Sequence, residues 1–350
     1  MKSIQIGNFL ISEDSPVFLI AELSANHNGS IENAIDTIRA AKRTGANAIK
    51  LQTYTADTLT LEAKTDDFMI KQGTIWDGQY LHDLYQEAYT PWEWHEQLFK
   101  VAAEEELICF SSPFDKTAVD FLEKLNVPAY KVASLEITDI PLIEYIASKG
   151  KPVIISTGIA DESDIRLAIE ACHRQGNDQI ILLKCTTSYP APMAEANLIM
   201  VKDMKERFNV ITGLSDHTLG ITAPVIATVF GAKMIEKHFI IDRAIGGPDA
   251  SFSLNEREFT DMVNAVREAE VAIGEINYSL TEKQIKGREF SRSLYVSEDA
   301  AEGETLTENN IRSVRPGYGM HPKFFTEVIG KQFSKTVHKG QRLTNDLIKE

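Results

Sequence analysis

Short apolar segments recur between amphipathic stretches in the first part of the chain. Near-continuous apolar segments are typical of parallel strands buried on both faces, and the stretches between them are typical of helices that cover such strands. Eight repeats of strand and helix predict a closed (β/α)8 barrel, a TIM barrel, rather than an open sheet. The predicted strands are residues 18–21, 48–52, 107–110, 129–134, 152–155, 180–184, 210–214 and 234–238.

Polar side chains stand at or just beyond the end of nearly every predicted strand. In a (β/α)8 barrel the carboxyl ends of the strands meet at one face, and the active site lies there. The pattern therefore predicts one shared site. Its candidate residues are Glu22, Lys50, Gln52, Ser112, Lys131, Ser134, Glu136, Ser156, Thr157, Lys184, Thr186, Ser215, His217, Glu236 and His238.

Two histidines, His217 and His238, stand at the ends of the seventh and eighth predicted strands. Neighbouring strand ends bring the two side chains within reach of each other, and neutral imidazole is a common ligand of divalent metal ions. Water or a substrate oxygen would complete the coordination, as in an open Lewis-acid site. The alternative is that each histidine is a hydrogen-bonded structural residue.

Lys50, Lys131 and Lys184 lie near the ends of the second, fourth and sixth predicted strands. A lysine in a buried strand needs a polar pocket for its ammonium group, so all three are expected to face the barrel mouth. With the serines at neighbouring strand ends they would form a cradle for phosphate or carboxylate. Two alternatives remain, namely internal salt bridges to Glu136 and Glu236 and a Schiff-base lysine of an aldolase.

Two acidic residues add to this inventory. Glu22, at the end of the first predicted strand, is a candidate acid–base group for a carbonyl or hydroxyl substrate, although it could equally orient a lysine. Asp249 follows the eighth strand, next to glycines that permit close approach to a ligand, and would bind sugar hydroxyls.

One connection, residues 53–89, is much longer than the others and is rich in aromatic and acidic residues. A long segment over a barrel mouth is usually functional, and we interpret this insertion as a lid or a sugar-facing wall. Trp92 and Trp94 follow it, and we expect at least one of them to pack into the core.

The pattern changes after Gly274. Short β-prone pieces, residues 293–296 and 304–306, are separated by turns that contain glycine and proline. We therefore divide the chain into a barrel domain, residues 1–280, and a small β-rich domain, residues 281–350. A domain of the second size is marginal alone, so we expect it to dock on a barrel, its own or a partner's.

Composition excludes several kinds of partner. Among 350 residues, 36 are basic and 51 acidic, and the net charge of −15 disfavours nucleic acid and anionic membranes as partners. No stretch resembles a membrane span or a signal peptide. Three cysteines without metal-binding spacing indicate a reducing compartment, and we expect the cytoplasm.

A series of short motifs then occurs in one order along the chain. It comprises AELSANHNG, IKLQTY, SSPFD, PAYKVAS, ISTG, GLSDHTLG, EKHF and GGPDASFSL, followed by SRSLYV and RPGYG. This series resembles the sialic acid synthase family over nearly the whole chain. The resemblance implies a (β/α)8 barrel followed by an antifreeze-like (SAF) domain, in a domain-swapped homodimer whose SAF domain caps the partner's active site. It also implies a metal-dependent transferase that condenses phosphoenolpyruvate with an N-acetylated amino sugar.

The resemblance implies roles for the matched positions. His217 and His238 would bind a divalent ion, Mn²⁺, Mg²⁺ or Co²⁺, and Glu22 would be the catalytic acid–base. Arg315 would reach into the partner's active site. Phosphoenolpyruvate would contact Lys50, Ser112, Lys131, Ser134, Ser156 and Ser215. The sugar would contact Gln52, Glu136, Tyr189 and Asp249.

Within the family, the insertion and residues 114–122 look most like the branch that makes pseudaminic acid from 2,4-diacetamido-2,4,6-trideoxy-β-L-altropyranose. The alternatives are the neuraminate branch, which uses N-acetylmannosamine, and the legionaminate branch, which uses 2,4-diacetamido-2,4,6-trideoxymannose. A barrel that binds sugar without turnover is a further alternative. Thr187 stands where the neuraminate branch often has asparagine, so that phosphate contact is not carried over.

Overall fold

The computed structural model describes residues 3–71 and 73–349. The chain divides into two compact units, Met1–Gly274 and Glu275–Glu350, a few residues ahead of the boundary expected at residue 280. No helix in the described part of the chain is both long and apolar enough to cross a membrane.

The first unit opens with an antiparallel hairpin, β1 (Ile4–Ile6) and β2 (Phe9–Ile11). Segments of three residues are too short for a periodic signal, so the sequence pattern does not predict this hairpin. The side chains of Ile4, Ile6 and Ile11 are buried in one apolar cluster with side chains of the barrel interior. The hairpin therefore covers the end of the barrel at which the strands begin.

Eight parallel strands then form a closed barrel, as predicted. They are β3 (Phe18–Glu22), β4 (Ala48–Thr53), β5 (Ile108–Pro113), β6 (Tyr130–Val132), β7 (Val153–Ser156), β8 (Ile180–Cys185), β9 (Ile211–Asp216) and β10 (Met234–His238). β6 is shorter than expected because Ser134 to Glu136 form a 3-10 turn. β10 pairs with both β9 and β3, which closes the ring and places His217 and His238 on adjacent strand ends.

Helices cover the outside of the barrel. Those of the first unit are α1 (Ile31–Arg43), α2 (Ala56–Leu59), α3 (Leu81–Ala88), α4 (His95–Glu104), α5 (Lys116–Lys124), α6 (Ile140–Ala147), α7 (Glu162–Arg174), α8 (Met200–Phe208), α9 (Thr222–Val229) and α10 (Glu256–Ile273). Side-chain caps fix several starts, since Ser30, Asp115 and Asp161 accept hydrogen bonds from backbone amides of α1, α5 and α7. Apart from α2 and α3, the apolar faces of these helices pack on the outward side chains of the strands.

The barrel interior has two layers, because alternate residues of each strand point inward. The layer near the hairpin, which we call the floor, is apolar. Its residues on the strands, or directly before one in the case of Ala129, are Phe18, Ile20, Ala48, Phe110, Ala129, Ile154, Ile181, Leu183, Ile211 and Met234. Two positions further along the same strands lies a buried polar layer. It consists of Glu22, Lys50, Ser112, Lys131, Ser156, Cys185, Ser215 and Glu236.

Gly213 shows how closely this interior is packed. It occupies the inward position of β9 between Ile211 and Ser215. A Cβ atom there would lie 2.2 Å from the backbone oxygen of Met234 and 2.7 Å from Cδ2 of Leu183. Only glycine therefore fits at this level of the barrel.

The insertion of residues 53–89 contains α2 and α3 rather than loop alone. Tyr54 anchors it, because its ring contacts Tyr85 of α3 and Phe114 after β5, with centroids 5.9 and 5.1 Å apart. Trp94, beyond the insertion, packs against the apolar cluster between barrel and helices, as expected. Trp92 stacks on Phe121.

The second unit has its own apolar core. Its elements are α11 (Glu282–Gly287), β11 (Ser293–Val296), β12 (Ile311–Val314) and α12 (Phe325–Val328), with β11 and β12 antiparallel. The strand predicted at residues 304–306 is wrong. Only Thr305 forms a bridge there, with Gln332, because a turn closed by the Asn310 side chain on the Thr307 amide ends the extended segment.

Candidate active site

Four buried charged side chains form the centre of the polar layer. Lys50 Nζ lies 2.8 Å from Glu22 Oε2 and 3.6 Å from Glu236 Oε1. Lys131 Nζ is 4.0 Å from the same Glu236 oxygen. Lys50 also donates a hydrogen bond to Ser112 Oγ at 3.2 Å. Both lysines therefore face the barrel mouth, and both are paired with carboxylates, so the cradle and salt-bridge interpretations describe the same side chains.

The two carboxyl groups differ in their affinity for protons. Burial raises the pKa of Glu22 to about 7, and the attraction of Lys50 only partly opposes this rise. Burial also acts on Glu236, but Lys131 and Lys50 outweigh it and lower the pKa of that carboxyl. Glu236 is therefore the ionised partner of the lysines, while Glu22 can exchange a proton near neutral pH, as an acid–base catalyst must.

The two histidine rings lie side by side at the mouth, with centroids 5.4 Å apart. His217 Nδ1 is 2.9 Å from the backbone oxygen of Thr186, and a carbonyl can only accept, so this nitrogen carries a proton and Nε2 is the nitrogen that can act as a ligand when the ring is neutral. His238 Nδ1 is 3.7 Å from Asp249 Oδ2 and has no hydrogen-bond partner among the described residues. Burial keeps the pKa of His238 well below its usual range, so its ring is neutral.

This donor set fits an open metal site rather than a closed one. Among residues 3–71 and 73–349 no group of three or more histidine, cysteine, aspartate or glutamate side chains is placed to hold a metal ion. Two imidazoles alone would leave most coordination positions to water or substrate oxygen. The unpartnered nitrogen of His238 is the observation that favours a ligand at this point.

Cys185 is a residue of this site that the sequence analysis missed. Its Sγ lies 3.8 Å from His217 Nδ1. Burial raises the pKa of the thiol, but the neighbouring His217 outweighs it and brings that pKa down to about 7, while Cys185 in turn raises the pKa of His217. Cys185 could have been recognised from the sequence, because it lies two residues beyond Leu183 and alternate residues of β8 point into the barrel.

Hydroxyl groups cluster around Gly158, just beyond β7. The Gly158 amide donates to Ser134 Oγ at 3.1 Å. A Cβ on Gly158 would lie 2.0 Å from Thr187 Oγ1 and 2.7 Å from Ser134 Oγ, so any side chain at this position would displace these two hydroxyl groups. Ser156, two residues earlier, has a buried hydroxyl without a partner among the described residues. Such a group of hydroxyls next to two lysines is suited to phosphate.

A second set of polar groups connects Glu22 with the loop after β10. Gln52 Nε2 donates to Glu22 Oε1 at 3.0 Å and to Ser24 Oγ at 2.9 Å. The adjacent Ala25 amide donates to Asp249 Oδ2 at 3.3 Å. These hydrogen bonds bring Gln52, Glu22 and Asp249 together at one side of the mouth.

Glu136 and Tyr189 lie near the mouth as well. Burial raises the pKa of Glu136 to about 7, with Lys131 opposing the rise. The Tyr189 ring packs on His217, Phe252 and His238, with centroids 4.3, 5.2 and 6.1 Å away. Tyr189 therefore forms an aromatic wall beside the histidine pair.

Buried polar side-chain atoms without a hydrogen-bond partner are concentrated in this region. Nine such atoms occur in the described part of the chain. One of the nine, Glu22 Oε2, does face the Lys50 ammonium at 2.8 Å. Six of the others belong to the mouth and its insertion: Trp76 Nε1, Glu136 Oε2, Ser156 Oγ, Thr187 Oγ1, Glu236 Oε2 and His238 Nδ1. Because unpaired buried polar atoms are costly, their concentration indicates that a polar ligand binds here.

Three basic residues, Lys184, Arg315 and Lys237, take no part in the ion pairs of Glu22, Lys50, Lys131 and Glu236. Lys184 donates to the Cys185 backbone oxygen and to Thr186 Oγ1 and belongs to no ion pair among the described residues. Arg315 belongs to the second unit, directly after β12. Lys237, which the sequence analysis overlooked, alternates with Glu236 and His238 on β10 and forms a buried ion pair with Asp216 of β9.

Comparison with known proteins places this fold and site in one family. A sequence profile of the NeuB family matches residues 37–278, and a SAF domain profile matches residues 291–349. The chain therefore belongs to the NeuB family, the sialic and pseudaminic acid synthase family of enzymes, and the resemblance stated from its motifs is confirmed.

Individual relatives narrow the similarity. The chain is 49% identical over 340 residues to a pseudaminic acid synthase of Campylobacter jejuni, covering 97% of this chain and 98% of the relative. It is 46% identical over 332 residues to that of Helicobacter pylori, covering 95% and 97%. An N,N'-diacetyllegionaminic acid synthase of Legionella pneumophila is 33% identical, with 93% of each chain covered.

Solved structures agree with this placement. The N-acetylneuraminic acid synthetase of Leptospira borgpetersenii aligns with a TM-score of 0.73 and 29% identity, over 82% of this chain and 95% of that one. The spore coat polysaccharide biosynthesis protein spsE of Bacillus subtilis aligns with a TM-score of 0.68 and 32% identity, over 100% and 99%.

Proposed function

We propose that this protein condenses phosphoenolpyruvate with 2,4-diacetamido-2,4,6-trideoxy-β-L-altropyranose and water to give pseudaminic acid and phosphate. The observation that carries the proposal is the polar layer, in which two buried lysines, an acid–base carboxyl and a histidine pair share one mouth. Relatives 46–49% identical over nearly their full length carry the name pseudaminic acid synthase, which supports this sugar over the neuraminate and legionaminate precursors.

Lys50 and Lys131 would bind the enol phosphate together with the hydroxyls of Ser112, Ser134, Ser156 and Ser215. In the present arrangement the lysines are neutralised by Glu22 and Glu236. An arriving phosphate can take over part of that pairing, and a proton on Glu22 would compensate the added negative charge, since its pKa is about 7. Thr187 Oγ1, which lacks a partner in the described structure, is a further donor at this point.

His217 and His238 would hold the divalent ion. An ion bound there would supply Lewis-acid polarisation of the aldehyde oxygen of the open-chain sugar. His217 is oriented for this by the backbone oxygen of Thr186, which fixes its tautomer. The Tyr189 ring, which packs against His217 at an interplanar angle of 36°, shields the pair on one side.

Glu22 would move the proton. Its carboxyl is fixed between Lys50 and the Gln52 amide, and its pKa of about 7 lets it donate to the forming sugar hydroxyl or accept a proton from the attacking water. The reaction joins carbon 3 of phosphoenolpyruvate to the aldehyde carbon, adds water at carbon 2 and breaks the carbon–oxygen bond to phosphate. Gln52, Glu136, Tyr189 and Asp249 would bind the sugar.

The active assembly in this proposal is a domain-swapped homodimer in which Arg315 completes the partner's site. Exposed apolar side chains support a partner surface, because Ile276, Tyr278 and Phe290 are 94, 96 and 71% exposed. Mixed dimers of Glu22→Ala and Arg315→Ala chains should regain activity that neither variant has alone. If mass spectrometry confirms that the subunits have exchanged but no activity returns, Arg315 acts within its own chain.

The function is tested by incubating the purified protein with phosphoenolpyruvate, Mn²⁺ and each of three sugars: the altrose derivative, N-acetylmannosamine and 2,4-diacetamido-2,4,6-trideoxymannose. Phosphate release and product mass should favour the altrose derivative. A preference for either other sugar would reassign the branch. A chelator should abolish product formation, and borohydride should not trap pyruvate on the protein. Trapping by borohydride would instead indicate a Schiff-base aldolase.

A further inference from the structure

Trp76 is a residue of the insertion to which the site chemistry described above gives no role. Its ring lies against Tyr189, with centroids 5.6 Å apart, and Tyr189 in turn lies against His217 and Phe252. The indole is therefore separated from the histidine pair by one aromatic ring. Since that pair is where the reacting carbon of the sugar would lie, Trp76 is placed near the remote end of the sugar.

The indole N–H of Trp76 is buried and has no hydrogen-bond partner among residues 3–71 and 73–349. Buried Trp N–H groups normally find an acceptor, because leaving a donor unpaired is costly. Trp92 shows the ordinary arrangement in the same region, since its Nε1 donates to the Tyr54 backbone oxygen at 3.1 Å. The unpaired donor of Trp76 thus indicates an acceptor that a ligand supplies.

A cavity of about 300 Å³ adjoins the same ring. One side is formed by the insertion, with the apolar side chains of Ile75 and Leu84, the Trp76 indole and the polar side chains of Gln79 and Glu87. The other side is formed by Gly247 and Pro248, just ahead of Asp249. Its wall is thus partly apolar, with one donor whose partner is missing from the described protein. An acetamido group has matching chemistry, because it presents a carbonyl oxygen to the donor and a methyl group to the apolar side chains.

We propose that Trp76 is a specificity-determining residue that recognises the acetamido group on carbon 4 of the sugar. This inference rests on the proposed function. Carbon 4 is chosen because it is remote from the aldehyde carbon, as Trp76 is remote from the histidines, whereas the carbon 2 acetamido group adjoins the aldehyde. N-acetylmannosamine carries a hydroxyl at carbon 4, so it cannot place a carbonyl at the indole.

Kinetics with Trp76→Phe provide the first test, because phenylalanine keeps an aromatic ring but removes the N–H donor together with part of the indole volume, a volume change that Trp92→Phe shares. We expect KM for the 2,4-diacetamido sugar to rise about tenfold, the size of one lost hydrogen bond, with kcat and KM for phosphoenolpyruvate nearly unchanged. The preference over N-acetylmannosamine should fall by the same factor. Trp92→Phe is the matched control and should leave this preference unchanged. A uniform loss with both sugars would overturn the inference.

Binding measured without turnover keeps this inference separable from the proposed function. In protein labelled with ¹⁵N-tryptophan, the three indole N–H signals can be followed by NMR, and the Trp76 signal is identified by its loss in Trp76→Phe. Titration with the 2,4-diacetamido sugar should shift the Trp76 signal saturably, while N-acetylmannosamine should not. Equal shifts with both sugars, or no shift with either, would contradict the assignment. If the Trp76 signal shifts only with the 2,4-diacetamido sugar but the protein shows no turnover, the proposed reaction is wrong and the role of Trp76 in binding stands.

Discussion

The two layers of the barrel interior are built by the same eight strands, yet they carry opposite chemistry. In the floor the inward side chains are apolar and the hairpin β1–β2 seals them from water. In the polar layer, two residues further along, the inward side chains are lysine, glutamate, thiol and hydroxyl groups, and Ser156 Oγ and Glu236 Oε2 lack hydrogen-bond partners in the described structure. We interpret the floor as the main source of stability and the polar layer, two residues further along the same strands, as the ligand site.

The largest expected effect belongs to the mouth. His238→Ala should lower the rate of phosphate release by at least about 10³-fold, because a Lewis acid held there supplies several kcal/mol of transition-state stabilisation. The free energy of unfolding should change by only about 1 kcal/mol, since His238 Nδ1 forms no hydrogen bond within the described residues. Steady-state kinetics and urea unfolding measure the two quantities.

Exposed His173 is the matched control for that experiment. It lies on the outer helix α7, and His173→Ala should leave both activity and stability unchanged. A fully active His238→Ala enzyme would remove the metal role assigned to the pair.

The floor should show the reverse behaviour. Phe110 is fully buried in the apolar cluster, so Phe110→Ala should lower the free energy of unfolding by about 3–5 kcal/mol through lost burial and the resulting cavity. Phe110→Leu, which keeps most of the volume, should cost less than about 1.5 kcal/mol. Urea unfolding distinguishes the two, and equal small losses would mean that the floor is not the main source of stability.

The outer face of β9 and β10 offers an ion pair that no ligand is expected to use. Lys237→Met leaves the buried Asp216 carboxylate unpaired and should lower the free energy of unfolding by about 3 kcal/mol. Adding Asp216→Asn should recover much of that loss, because the uncompensated charge is then removed. A double-mutant cycle in urea measures the coupling, and additive losses would argue against a direct pair.

The smallest effect concerns pH. Burial lowers the pKa of His95 to about 4, so the ring is neutral in the folded protein, while the unfolded chain binds a proton below its ordinary pKa of 6.5. Stability from this residue is therefore present above pH 6.5 and is lost as pH falls, by roughly 2 kcal/mol at pH 5. His95→Gln should flatten the dependence of unfolding free energy between pH 6.5 and 4, whereas His173→Gln should not.

Much of the site could be predicted from sequence because the barrel has a strict geometry. Once eight strands were assigned, their ends had to meet, and Glu22, Lys50, Lys131 and the histidine pair followed from position alone. Pairing of Glu236 with the strand-end lysines was one of the alternatives that the sequence left open, but its pattern contains no sign of which lysines Glu236 would contact. Only the register of β10 against β3 and β9 places it between Lys50 and Lys131.

Other features lay beyond pattern analysis for different reasons. The hairpin β1–β2 is too short for periodicity, and the unpaired N–H of Trp76 is a property of packing in three dimensions. Lys237 pairs with Asp216 because alternate residues of β10 face opposite sides of the sheet. A list of the polar residues at the strand ends does not show which side each residue faces.

Calorimetric titration of phosphoenolpyruvate tests most directly whether the polar layer is a ligand site. The wild-type protein should bind one molecule per chain, and Lys131→Met should weaken that binding by at least about 100-fold, since one buried charge-assisted contact is lost. Lys233→Met, a lysine at the opposite end of the barrel whose ammonium donates to the Ser15 backbone oxygen, should bind as wild type does. Unchanged affinity in folded Lys131→Met protein would contradict the account.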